Sequence, residues 1–175
     1  MLLPNLADIL DYSLYSCFYG CKGDFRLIQK IKKEDKKEFF TLLDEFYHSS
    51  AVLHPVPKSH YESIYNELIS QSPYAVAYFI KEGEQIAGFA QLSFTFSTEA
   101  GGMVLWVEEL YIRAQFRGKG LGSAFFQFLE EEYGKSMARF RLEIEPDNER
   151  AKKLYKRMGF KTLGYLQMIK DREED

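Results

Sequence analysis

The sequence predicts a single mixed α/β domain. Three observations carry that expectation. Apolar residues alternate in several short runs, as half-buried strands require. Between those runs lie segments whose apolar residues recur three and four apart, as amphipathic helices require. One glycine-rich stretch, residues 115–123, passes directly from an alternating run into a helical one. The chain has 175 residues, enough for one hydrophobic core. Hydrophobic residues make up 46% and charged residues 28%, which sets it apart from disordered and fibrous chains.

Charge and cysteine content narrow the function classes. The formal net charge is -3, so no bulk attraction to nucleic acid or to an anionic membrane is expected. A local acidic patch still suits cationic substrates. Cys17 and Cys21 are too few for a disulfide framework. They also lack the neighbouring Cys or His residues of a metal site, and no metal is expected. No apolar run reaches the ~18 residues of a membrane span. Pro4, Asp8, Asp11 and the missing basic start argue against a signal peptide. A cytoplasmic protein is expected.

In chain order, residues 1–24 read as an N-terminal extension of uncertain structure, residues 25–170 as the domain, and residues 171–175 as a charged tail. Residues 25–31 alternate as a first strand. Residues 34–47 read as a helix with Phe39, Leu42, Leu43 and Phe46 on its apolar stripe. A loop with two prolines follows. A second helix then opens at the capping-box pattern Ser59 to Glu62. Residues 74–80 and 85–97 form two strands around a turn at Gly83, and residues 103–113 a third after Gly101-Gly102. Residues 139–145 alternate, then Pro146-Asp147-Asn148 starts a short helix that ends at Gly159. Residues 160–169 are expected to be the last strand. The predicted order is β-α-α-β-β-β-α-β-α-β.

The chemistry concentrates at Arg117-Gly118-Lys119-Gly120-Leu121-Gly122-Ser123. Alternate glycines remove the Cβ atoms that keep a ligand off the backbone. The helix that follows presents free N–H groups and the positive end of its dipole. Such a loop suits a phosphate or pyrophosphate, with Arg117 and Lys119 adding mobile positive charge. A nucleotide P-loop needs Ser or Thr after Gly-Lys, and Gly120 stands there. A dinucleotide loop needs a third Gly or Ala where Ser123 stands. A loose turn without a ligand is the plain alternative.

Residues 117–122 match the Q/R-x-x-G-x-G/A motif of the GNAT superfamily of N-acetyltransferases. Asn148 to Phe160 resembles the family's second signature, N-x-x-A-x-x-L-Y-x-x-x-G-F. The resemblance covers roughly residues 25–170. It implies a central, mostly antiparallel sheet that splays at the cofactor site and is flanked by helices. It implies acetyl-CoA as co-substrate and direct transfer of its acetyl group to a primary amine. The amides of Arg117, Gly118, Lys119, Gly120, Leu121 and Gly122, with Ser123, are expected to hold the pyrophosphate. The pantetheine arm would lie along Tyr111 and Ile112, with an N–H near Leu110 or Tyr111 polarising the carbonyl. Asn148 would contact the pantetheine or a linked water, while also serving as a helix N-cap. Tyr155 matches the tyrosine that protonates the leaving thiolate, and a phenol stays protonated at neutral pH.

The general base is expected among Glu108 and Glu109. Val107-Glu108-Glu109-Leu110-Tyr111-Ile112 is similar to a strand of diamine acetyltransferases in which the first acid is the base, through water. Glu108 is therefore the first candidate and Glu109 the second. Strand alternation puts the two on opposite faces. Each carboxylate has a plainer role open to it, pairing with a nearby Arg or Lys. Glu143 and Glu145 share a strand face and would add negative potential. His54 and His60 lie where the family shapes its acceptor site. The acceptor is a small-molecule or peptide amine, with a small cationic amine slightly favoured, and a homodimer fits the family's habit. The other class of function left open is a coenzyme-A-binding regulatory module without turnover.

Overall fold

The computed structural model describes residues 28–49, 52 and 56–171. Cys17, Cys21 and His54 lie outside the described residues. Five strands form one sheet in the order β1 (Ile28–Lys30), β2 (Ala75–Glu82), β3 (Gln85–Ser97), β4 (Gly102–Ile112), β5 (Arg139–Leu142). The first four make an antiparallel meander, and β5 joins β4 in parallel. The parallel step requires a crossover, which is α3 (Leu121–Tyr133).

Two layers of helix cover the sheet. On one face α1 (Lys36–Tyr47) buries Phe39, Leu42, Leu43 and Tyr47, and α2 (Lys58–Ile69) buries Tyr61, Tyr65 and Leu68. Those residues pack with Ala77, Phe79 and Phe89 of the sheet. A single 3-10 turn, Lys33–Asp35, leads into α1. The expected cap of α2 at Ser59 is not used: the N-cap is Pro57, two residues earlier, whose fixed φ of -58° suits a helix entry. On the other face Phe125, Phe126 and Leu129 of α3 pack on Leu92, Leu105 and Val107. Leu154, Tyr155 and Met158 of α4 (Glu149–Arg157) complete that layer.

Two features of the sheet position the site. First, β5 pairs with β4 only at Val104 to Val107. It ends at Leu142, three residues sooner than alternation suggests, and Glu108 to Ile112 run on without a β5 partner. The sheet therefore splays there. The Arg141 guanidinium, 4.2 Å over the Trp106 ring, fastens the two strands just before they part. Second, Glu108 is an extra residue: Gln91 pairs with Glu109 and Leu92 with Val107. This β-bulge interrupts the alternation of β4.

Residues 160–169 do not form the expected strand. Among the described residues they have no strand partner, and Tyr165, Leu166, Met168 and Ile169 are exposed, Leu166 at 95%. An apolar segment can join a sheet only where an edge is offered to it. No helix of the described residues is long and apolar enough to cross a membrane.

Candidate active site

The glycine loop bridges β4 and α3 and shapes a cleft of about 940 Å³. Gly118 and Gly120 adopt φ of 81° and 78°, left-handed values that a side chain disfavours. The first helical hydrogen bond of α3 runs from Ala124 N–H to the Gly120 carbonyl at 3.0 Å. The N–H groups of Leu121, Gly122 and Ser123 thus have no helical acceptor, and all three residues line the cleft. A Cβ on Gly118 would meet nothing within 4 Å, whereas one on Gly122 would stand 2.8 Å from Leu154 Cδ2. So Gly118 borders open space, and Gly122 lets α4 close on α3. An amide cradle of this kind fits a pyrophosphate.

The cleft gathers most of the residues expected from the sequence. Leu110, Tyr111, Ile112, Arg117, Gly118, Gly120, Leu121, Gly122, Ser123, Asn148 and Tyr155 all line it. Ser49 and Val52, from the connection after α1, line it too. The splay thus joins the α3–α4 side of the sheet to the α1–α2 side. Asn148 caps α4, its Oδ1 accepting from the Ala151 N–H at 3.1 Å. Tyr155 packs edge-on against Phe126, ring centres 5.6 Å apart. Its hydroxyl meets no protein partner among the described residues, and burial raises its pKa above that of an ordinary phenol.

Three expectations are corrected. Arg117 and Lys119 each have a protein partner. Arg117 Nε donates to the Ile112 carbonyl at 2.8 Å, and Lys119 Nζ lies 3.5 Å from Glu82 and over the Phe116 ring. Lys119 is absent from the cleft wall. Glu108 and Glu109 do not face opposite sides, because the bulge turns both toward the α1–α2 face. Glu108 is exposed and accepts from Ser93. Glu109 accepts a 2.8 Å hydrogen bond from the Tyr47 hydroxyl. Neither carboxylate is in the cleft wall, although Leu110, which follows Glu109 in the chain, is. Of the second acidic pair, Glu145 lines the cleft and Glu143 does not. His60 lies on the exposed side of α2.

The two strand carboxylates differ electrostatically. Burial pushes Glu109 up to about 7; the Tyr47 hydrogen bond pulls it down and the charge of Glu108 pushes it up. The Glu109 Oε2 and the Oε1 of its cross-strand neighbour Gln91 are both buried without a donor. A proton on Glu109 supplies the donor this spot lacks. Tyr47, stacked on Tyr61 with ring centres 5.7 Å apart, is itself pushed well above the ordinary phenol range by burial and by Glu109. It remains a donor at any working pH. Sequence reading missed Tyr47, which it placed only as the last residue of the helix.

Sequence reading also missed a clamp behind the loop. Arg113 follows the end of β4 and is held by Glu45 of α1 at 2.8 Å and by Glu38 at 3.1 Å. The two acids are seven apart on α1, two helical turns, so both reach one guanidinium. The clamp fixes α1 against the strand end from which the glycine loop departs.

The acetyltransferase (GNAT) family profile matches residues 36–160; the chain belongs to that family. Thialysine N-epsilon-acetyltransferase of Mus musculus is 31% identical over 83 residues, 47% of this chain and 48% of the mouse protein. The chain thus matches about half the length of these curated relatives. AAC(6')-Iy, solved in complex with the bisubstrate analog CoA-S-monomethyl-acetylneamine, superposes with a TM-score of 0.70. It is 14% identical, over 85% of this chain and 99% of that one. A ribosomal-protein-alanine N-acetyltransferase from Brucella melitensis biovar Abortus 2308 superposes with a TM-score of 0.64 at 17% identity, over 85% of this chain and 100% of that one. At these identities the two structures attest the fold.

Proposed function

We propose that the protein is an acetyl-CoA-dependent N-acetyltransferase acting by direct attack of an amine within a ternary complex. The observation that carries this reading is the convergence of the amide cradle, the open edge of β4 and Tyr155 on one cleft. Acetyl-CoA supplies an activated acetyl group as a thioester. Leu121, Gly122 and Ser123 hold its pyrophosphate through their N–H groups. The edge of β4 from Leu110 to Ile112 takes the pantetheine in place of the strand that β5 does not extend. A backbone N–H near Leu110 or Tyr111 stabilises the charge that develops on the carbonyl oxygen.

The amine enters from the side of Ser49 and Val52. Its nitrogen forms the new bond to the acetyl carbon, and the carbon–sulfur bond breaks. Glu109 takes the proton the amine loses, through a water, since its carboxylate is not in the cleft wall. Its ionisation near neutral pH suits a general base better than an ordinary carboxylate does. This moves the first choice from Glu108 to Glu109, with Glu108 supplying a fixed negative charge on the acceptor side. Tyr155 gives its proton to the departing thiolate.

The paired carboxylates and the stacked rings of Tyr47 and Tyr61 favour a cationic amine as acceptor. The thialysine enzyme similarity points the same way. A second copy of the chain is the proposed protein partner, supported by the exposed apolar segment at 163–169 and the outer edge of β5, unpaired among the described residues. The function is tested by thiol release from acetyl-CoA with and without amines. Release that depends on an amine is expected. Tight binding without release under any amine would replace the enzyme with a coenzyme-A-binding module.

A further inference from the structure

Of the two cations of the glycine loop, Lys119 pairs with Glu82 and stands outside the cleft wall, and Arg117, in the wall, gives its Nε to the Ile112 carbonyl. Three further cations of the cleft are on α4. Arg150, Lys153 and Arg157 line the same cavity as the amide cradle, are exposed, and make no ion pair or hydrogen bond among the described residues. Their spacing of three and four sets them in one stripe about 10 Å long. Glu149, one turn from Lys153, is taken by Lys152 at 2.6 Å. Glu145 and Asp147 also line the cleft and form no ion pair with the stripe. Leu154 lies on the same flank of α4 and packs at Gly122, which brings the stripe alongside the cradle.

Amide dipoles and fixed cations suit different phosphates. Converging N–H groups match the spread charge of a pyrophosphate diester. A terminal phosphomonoester concentrates about two negative charges on three oxygens and is best met by guanidinium forks and an ammonium. Coenzyme A carries both kinds of group, the second at the 3′ position of its ribose. We propose that Arg150, Lys153 and Arg157 form a phosphomonoester site that holds this 3′-phosphate and selects against thioesters lacking it. The inference rests on the acetyl-CoA reading above.

The test is calorimetric titration of the full chain with acetyl-CoA and with 3′-dephospho-acetyl-CoA. Wild type should bind the phosphorylated thioester on the order of tenfold or more tightly, the scale of hydrogen bonds to a charged group. The combined Arg150→Ala, Lys153→Ala, Arg157→Ala variant should lose that preference. Its affinity for the dephospho compound should stay near that of wild type, which also shows that it folds. A charge-matched variant away from the cleft wall, Lys152→Ala, Lys156→Ala, Lys161→Ala, should keep most of the preference. Equal wild-type affinity for the two thioesters, or a preference that survives the first variant or vanishes equally in the second, would overturn the site. Wild type binding neither thioester would remove the cofactor reading and this inference with it.

Discussion

The Tyr47 hydroxyl donates a 2.8 Å hydrogen bond to Glu109 Oε1 and so ties the last residue of α1 to the bulge of β4. The bond joins the acceptor-side helix to the strand proposed to carry the cofactor. It also leaves Glu109 Oε2 buried and without a donor.

That burial makes stability depend on pH. Glu109 sits at about 7 against an ordinary 4.5, so the folded protein holds this proton more tightly than the unfolded chain. The contribution is fully present below about pH 4.5 and is lost as pH rises through about 7. Glu109→Gln keeps the acceptor for Tyr47 and removes the charge. The variant should match wild type near pH 4.5 and exceed it at pH 8 by about 2 kcal/mol. That is less than the whole shift implies, because the residue is only partly sealed from water. Denaturant unfolding at both pH values is the measurement.

If Glu109 is the base, two neighbours should move the acid limb of the rate profile in opposite directions. Tyr47→Phe removes the bond that lowers Glu109 and should shift the limb of kcat/KM upward. Glu108→Gln removes a charge that raises it and should shift the limb downward. Shifts of about half a unit to one unit are expected from one lost hydrogen bond or charge. A limb that ignores both substitutions would exclude Glu109.

Tyr155→Phe should lower kcat by a factor of about 10² to 10⁴, the usual worth of a positioned general acid. The Kd for acetyl-CoA should change little, since the proposed role begins when the carbon–sulfur bond breaks. Unchanged turnover would remove Tyr155 from the chemistry.

Gly120→Val tests the cradle. Gly120 holds φ at 78° as the N-cap of α3, a conformation that costs a β-branched residue about 1–2 kcal/mol. The added methyls also stand beside the three free N–H groups. The Kd for acetyl-CoA should rise at least tenfold, with far-ultraviolet dichroism retained.

The exposed segment at 163–169 predicts self-association. Sedimentation equilibrium should report a dimer, and Leu166→Lys with Ile169→Lys should shift it toward monomer. A wild-type monomer at all concentrations would exclude a second copy as the partner of this surface.

Much of this was legible in the sequence where a local rule governs. The glycine loop, the α4 signature from Asn148 to Phe160 and the meander were readable because turns, caps and alternation are short-range. Elements that depend on a distant partner were not. Glu108 and Glu109 share a face only because Leu92 pairs with Val107 while Gln91 pairs with Glu109, and nothing local marks a bulge. Tyr47 went unmarked because its hydroxyl finds Glu109 62 residues away. Lys119 read as a ligand-facing charge because Glu82 is remote in sequence. Residues 160–169 were expected as the last strand, but a segment's own residues do not say whether a sheet edge is free for it.

The most direct test of the central claim is thiol release from acetyl-CoA across polyamines, lysine analogues, aminoglycosides, amino acids and short peptides, run with wild type and Tyr155→Phe. The account predicts release that requires an amine, is strongest for a small cationic acceptor, and falls by at least a hundredfold in the variant. Release that is independent of any amine, or that Tyr155→Phe leaves untouched, would contradict it.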